Sequence, residues 1–348
     1  MSLKVLSGIA ELDRGKWALF IEKHPFGTVF QSPEMFDLYA SVSSYSPIVL
    51  ALEDDKGKIK ALVLAVIIQD YNKIAGSMTA RTLIYGGPLL DSGDKHQEQL
   101  LEQILDALVN KVEHHSLYIQ IRNLNDYSVF DPVFRTKGFN REDHLNLIVP
   151  TSQAKETLQG ISKSKQRQAK QSLNTGATLT IADNEADVIE LYRMLEKLYN
   201  SRVKKPLPPL SFFKSFFRAS QEGKLGMILL AKYEGKVVGG MVCPLTSGKA
   251  LFEWYICGMD KEFAKIHPSV LLTYGAIEYA LLHEIPAFDF MGIGSPDVPY
   301  GVRDFKTRFG GKTVNYGRYL RVNNKVAFTI AKTGFDFLGF LRRMFGRS

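Results

Sequence analysis

The sequence predicts an α/β (α+β) chain built as two tandem units, each a mixed, twisted sheet flanked by helices. Three observations predict it. The 348 residues are 45% apolar and 11% aromatic, enough core for two domains at about 100–200 residues each. Short β-rich runs alternate with longer helical stripes along the whole chain. The same order of elements then appears twice: helix, hairpin with an acidic/glycine turn, strand, helix, strand.

In the first half, Ser32-Pro33 is a helix cap with proline at the first position, and a helix over Glu34–Val42 follows. Ile48–Glu53 and Ile59–Gln69 are paired strands joined by the turn Asp54-Asp55-Lys56-Gly57. Leu83–Leu90 contains Gly86-Gly87-Pro88, which ends a strand. Leu100, Leu101, Ile104, Leu105, Leu108 and Val112 make a helical stripe over Gln97–His114. Leu117–Ile121 is a strand, and Leu145–Val149 closes the half. The second half begins with an amphipathic helix at Asp187–Asn200, a rigid Pro206–Pro209 loop and a helix over Leu210–Ser220. Met227–Tyr233 and Val237–Leu245 form a hairpin about Glu234-Gly235. Ala250–Cys257 is one strand, Pro268–His283 a long helix, Ala287–Met291 the next strand, and Gly292–Tyr300 a Gly/Pro-rich loop. The expected division is 1–150, 151–325 and a basic amphipathic tail at 326–348.

Two cysteines, Cys243 and Cys257, exclude a disulfide framework and four-cysteine zinc sites, and the seven histidines show no HExxH spacing. No secretory leader is apparent, and the longest apolar run, Ala61–Ile68, is too short for a bilayer span of roughly 20 residues. The expectation is a cytoplasmic protein. The net charge of +8 is concentrated: residues 161–176, 200–218, 301–321 and 332–348 hold 19 basic and 2 acidic residues, against 25 and 34 elsewhere. That pattern fits a phosphate-rich or anionic partner, or else four separate solvated surfaces. The tail Lys332–Ser348 interleaves phenylalanines with Arg342, Arg343 and Arg347. It reads as a helix for an anionic membrane or as one docked on the core, so membrane association is added to the expectation.

His24-Pro-Phe-Gly-Thr-Val-Phe-Gln-Ser, the hairpin at Asp54 and Tyr85-Gly-Gly-Pro-Leu resemble, in that order, segments of Fem-family (FemAB-like) peptidoglycan aminoacyltransferases. So do the basic stretch from Lys163 to Gly176, Glu234-Gly-Lys-Val-Val-Gly-Gly, Phe288-Asp-Phe-Met-Gly-Ile-Gly and Gly301-Val-Arg-Asp-Phe-Lys-Thr-Arg-Phe-Gly-Gly. The resemblance covers the chain to about Val322. It implies two domains of the GNAT acyltransferase fold, the second holding the active site. It also implies transfer of an aminoacyl or other acyl group to an amine of a cell-wall or glycan precursor, the donor being aminoacyl-tRNA or acyl-CoA. No permanently bound cofactor and no metal are implied.

Acyl transfer to an amine needs a deprotonated nucleophile, donors for the oxyanion and close apposition of the two substrates. The strands Leu251–Cys257 and Ala287–Met291 are the expected walls of an acyl-binding gap. Lys306 matches the family's lysine and would stabilise the oxyanion; read alone, it is an exposed lysine near Asp304. Asp289, between two phenylalanines, is either a base or a structural cap, and Tyr255 is either a donor in the gap or a half-buried strand residue. The resemblance places Arg202 on precursor phosphates. Arg303, Arg308, Lys163 and Arg167 are further substrate-binding candidates, and Gly292 and Gly294 would allow close backbone approach. Two positions depart from the family pattern: Asp37 stands where a basic residue is expected, and Asn123 where an aspartate is. No Arg/Gln-x-x-Gly-x-Gly/Ala loop occurs where a CoA enzyme holds pyrophosphate; Ala264-Lys-Ile-His-Pro-Ser stands there. Two alternatives remain: a CoA-dependent N-acyltransferase acting on a sugar amine, and a non-catalytic binding module on the same fold.

Overall fold

The structure is a computed structural model that describes residues 3–69, 80–203 and 205–329. It divides into two units. One comprises the described residues up to Glu142 and those from Gly317 onward; the other is Asp143–Tyr316.

The first sheet has eight strands. Its path is Lys4–Ser7, Tyr45–Glu53, Ile59–Ile68, Arg81–Tyr85, Tyr118–Arg122, Arg318–Val322 and Asn140–Glu142, with Leu89–Leu90 on the side of Ile59–Ile68. All neighbours are antiparallel except Arg81–Tyr85 and Tyr118–Arg122, which run parallel through five residue pairs from Arg81↔Tyr118 to Tyr85↔Arg122. A parallel pair needs a crossover, and the helix Gln97–Val112 supplies it. The predicted stripe on that helix is buried, packing on Leu52, Val63, Ala65, Ile84, Ile119 and Ile121. The predicted cap also holds: Ser32 Oγ accepts from the Met35 amide at the start of Pro33–Ala40.

The second sheet has the same strand order. Its path is Thr178–Ile181, Gly226–Tyr233, Lys236–Thr246, Ala250–Phe252, Ala287–Gly292, Leu145–Pro150 and Lys312–Asn315, with Tyr255–Gly258 on the side of Lys236–Thr246. Pro268–Leu282 is its crossover helix, and its core gathers Leu271, Leu272, Ala276, Phe288, Phe290 and Phe309.

Two differences from the sequence reading matter. Leu145–Pro150, expected to close the first half, pairs with Ala287–Gly292 in the second sheet, while Arg318–Val322 pairs with Tyr118–Arg122 in the first. Each strand is short and apolar enough to serve either sheet, so the hydrophobic pattern alone did not assign it. As the sequence reading has it, the strand in Leu83–Leu90 ends at Gly86-Gly87: Arg81–Tyr85 stops there, at φ values of 81° and 75° that no strand continues through. Ala250–Cys257 breaks at Glu253-Trp254 into Ala250–Phe252 and Tyr255–Gly258. The membrane-binding expectation for the tail falls on residues 330–348, outside the described residues. Among the described residues, no helix is long and apolar enough to cross a membrane.

Candidate active site

The break in the fourth strand of the second sheet opens the site. Ala250–Phe252 runs parallel to Ala287–Gly292 for two residue pairs, Leu251↔Phe288 and Phe252↔Asp289. The last link between them is the Glu253 amide on the Asp289 carbonyl, at 2.9 Å. Beyond it the strands part. The Trp254 amide turns to the Val242 carbonyl at 3.0 Å, and Tyr255–Gly258 follows Lys236–Thr246. On the other side, Met291 takes a left-handed φ of 56° and the register against Leu145–Pro150 shifts between Asp289 and Gly292. A non-glycine residue in that region costs on the order of 1 kcal/mol, a cost that the surrounding structure must hold in place.

Three ionisable side chains meet where the strands separate. Lys306 is 8% exposed, Glu253 4% and Asp289 4%. Lys306 lies in the last turn of the short helix Gly301–Thr307, anchored by Phe305 against Phe309 and by Phe309 against Phe290. Its Nζ donates to Glu253 Oε1 at 2.9 Å, to the Phe290 carbonyl at 2.9 Å and, at the longer distance of 3.5 Å, to the Gly292 carbonyl. The ammonium is therefore buried against the gap. Asp289 Oδ1 accepts from the Met291 amide at 2.6 Å. Burial pushes the Asp289 carboxyl up to about 7; the Met291 amide and Lys306 oppose that rise, and Glu253 adds to it. Among the described residues, buried Glu253 Oε2 has no hydrogen-bond partner.

Glu253 was not foreseen from sequence. The signal that could have found it is the one that drew attention to Asp289: a single carboxylate inside an apolar run, here between Phe252 and Trp254.

The other expected residues are distributed as follows. Tyr255 is half-buried in an aromatic cluster with Tyr199, Phe212, Phe213 and Trp254, and Phe212, Phe213, Phe216 and Phe217 are core. Arg303, expected on substrate, is turned to its own loop: its guanidinium donates to the carbonyls of Ile293, Ser295, Pro296 and Val298, pinning the segment after Gly292. Gly294 has φ 89°, and a Cβ there would meet the Tyr300 ring at 3.0 Å. Gly292 lends its carbonyl to Lys306. Lys163 and Arg167 are exposed on the helix Lys163–Asn174, as is Lys170, while Ala169 and Ser172 face inward. Arg308 is exposed, and its carbonyl accepts from the Ser162 amide at the start of that helix. Arg202 is exposed on the π-helical turn Tyr199–Val203. In the first unit, Asp37 pairs with Arg14 and Asn123 is buried.

The start of the crossover helix Pro268–Leu282 is closed to anions. Pro268 has no N–H, the Ser269 amide and hydroxyl both donate to Asp260, and the Val270 and Leu271 amides donate to the His267 carbonyl. A pyrophosphate there would find no free amide and would face a carboxylate.

Two sheets of one strand order, each with a helical crossover between parallel strands and the second parted beside its crossover, define a tandem GNAT fold. Residues 161–307 match the family model of the acetyltransferase (GNAT) domain. The crystal structure of FemX is similar over 95% of this chain and 99% of its own, with a TM-score of 0.70 at 13% identity. L-PGS from Bacillus licheniformis is similar over 92% and 95%, with a TM-score of 0.58 at 14% identity. A tandem GNAT protein from the clavulanic acid biosynthesis pathway is similar over 93% and 99%, with a TM-score of 0.57 at 12% identity. No curated protein matches by sequence.

Proposed function

We propose that the chain is an N-acyltransferase that moves an aminoacyl group from aminoacyl-tRNA to an amine of a cell-envelope precursor. The carrying observation is the Lys306–Glu253–Asp289 cluster at the parting of the two parallel strands. The acyl carbonyl lies in the gap, and its oxygen displaces the long Lys306–Gly292 contact, so that the ammonium meets the developing negative charge. The acceptor nitrogen bonds to the acyl carbon, and Asp289 takes the proton it loses. The ester bond to the ribose oxygen breaks, and the same proton leaves on that oxygen. Asp289 is suited to both steps because its carboxyl exchanges a proton near neutrality.

The match of residues 161–307 to an acetyltransferase domain favours an acyl-CoA donor and a sugar-amine acceptor as the second reading. The residues at the start of Pro268–Leu282 do not fit a pyrophosphate, which supports aminoacyl-tRNA over CoA. Lys163, Arg167, Arg308 and Arg202 supply exposed positive charge for the phosphates of donor or precursor.

The test offers the purified chain charged tRNA or acetyl-CoA, each with an amine-bearing muropeptide precursor or glucosamine. Transfer from charged tRNA is expected, falling by about 10²–10³-fold in Lys306→Met, as loss of one oxyanion donor does. Transfer from acetyl-CoA alone selects the second reading. No transfer from either donor, or full transfer by Lys306→Met, overturns the assignment.

A further inference from the structure

The Lys306 ammonium does not stand free in the gap. Of its three contacts, two are at 2.9 Å, to Glu253 and to Phe290, and the Gly292 contact is stretched to 3.5 Å. A carbonyl dipole cannot compensate a buried charge; only Glu253 does so among these three partners. Glu253 reaches Lys306 from the break between Ala250–Phe252 and Tyr255–Gly258 through Oε1 and, among the described residues, leaves Oε2 buried without a partner, an arrangement that packing alone does not favour.

We infer that Glu253 is the positioning residue of this site, holding the Lys306 ammonium inside the sheet so that its weak Gly292 contact is the one a substrate oxygen can displace.

The groups that face Glu253 are Lys306 from the short helix, Asp289 from the parallel strand and the Cys243 thiol from Lys236–Thr246. Burial, helped by Glu253, pushes that thiol well above its ordinary range, so it stays protonated and adds no charge. If Lys306, Glu253 and Asp289 were all ionised, the cluster would carry one net negative charge; a single proton brings it to neutrality. Glu253 pairs directly with the ammonium, and the exchangeable proton of the cluster is the one on Asp289. The inference takes its purpose from the acyl-transfer reading, but its test needs no substrate.

The full chain is labelled with 13C at aspartate carboxyls, and the Asp289 signal is assigned by its loss in Asp289→Asn. The reactivity of Lys306 toward trinitrobenzenesulfonate is followed by peptide mass. Wild type should show an Asp289 midpoint of about 7 and slow Lys306 labelling. In Glu253→Gln the midpoint should fall below the wild-type value, because a neighbouring negative charge is gone. Lys306 should label faster, because an amine released from its 2.9 Å salt bridge to Glu253 is no longer held away from the reagent. Glu253→Asp, which keeps the charge on a shorter side chain, should retain the midpoint but still speed labelling; it also serves if Glu253→Gln fails to fold. Labelling as slow as wild type in either folded variant, or an unmoved midpoint in Glu253→Gln, overturns the inference. Full transfer by Lys306→Met would instead sink the acyl-transfer reading and leave these measurements standing.

Discussion

Asp289 and Lys306 are near neighbours with opposite demands on a proton. Burial makes the Asp289 carboxylate costly, and the Met291 amide and Lys306 recover only part of that cost, so its proton is released near pH 7. Two consequences follow in sign. As a base Asp289 must be ionised, so transfer should rise with pH through about 7 and lose that rise in Asp289→Asn, read from rate against pH. As a group whose folded pKa lies above its unfolded one, it supports the fold below the unfolded value and withdraws that support as pH climbs to about 7. Unfolding midpoints in urea should therefore decline from pH 4 toward pH 7 in wild type more than in Asp289→Asn. Asp289 stood out in the sequence as a single charge in an apolar run, and Glu253 carried the same signal without being singled out. Which of them pairs with Lys306 was not visible there, because that depends on a helix about 50 residues beyond Glu253.

At the scale of the element, periodicity was a good guide where one helix or hairpin buries its own face. The helix Gln97–Val112 and the hairpin at Asp54 are of that kind. Leu105 on that helix is fully buried, and Leu105→Ala should cost about 2–5 kcal/mol in chemical denaturation. The pattern failed where partners lie far off in sequence. The break at Glu253-Trp254 falls in a run whose composition is that of a continuous strand; it exists because one flank pairs with Ala287–Gly292 and the other with Lys236–Thr246. The start of Pro268–Leu282 teaches the same lesson in reverse. The missing glycines of a pyrophosphate loop were legible, but the carboxylate of Asp260 on Ser269 was not. Asp260→Ala removes that cap, at about 1 kcal/mol of stability, and frees the Ser269 amide. Calorimetry with CoA should then show binding that wild type lacks; equal binding by both proteins would contradict a closed helix start.

Across the whole molecule, the two sheets follow one strand order yet differ in how long their parallel strands stay together. The parallel strands of the first stay together through five residue pairs, and those of the second through two. In both sheets the next short strand then leaves the parallel pair, Leu89–Leu90 for Ile59–Ile68 and Tyr255–Gly258 for Lys236–Thr246; the Lys306–Glu253–Asp289 cluster lies at the parting in the second unit, which is why the chemistry is proposed there. The duplication was legible from the repeated hairpins; the asymmetry was not, since it lies in registers rather than in composition. Charge follows the same division. Lys163, Arg167 and Lys170 lie exposed on one helix of the second unit, spaced so that they share a face. If that face meets the phosphates of an RNA donor, affinity for a short RNA hairpin should fall steeply with salt. Replacing all three by alanine should then reduce the slope of log affinity against log salt by roughly 2, each lost phosphate contact no longer releasing its counterion. The same variant should retain its unfolding midpoint, because solvated lysines and arginines contribute little to the fold. An unchanged slope would detach this helix from nucleic acid and leave the positive charge of Arg202 and Arg308 as the surface to examine for a phosphate-bearing acceptor.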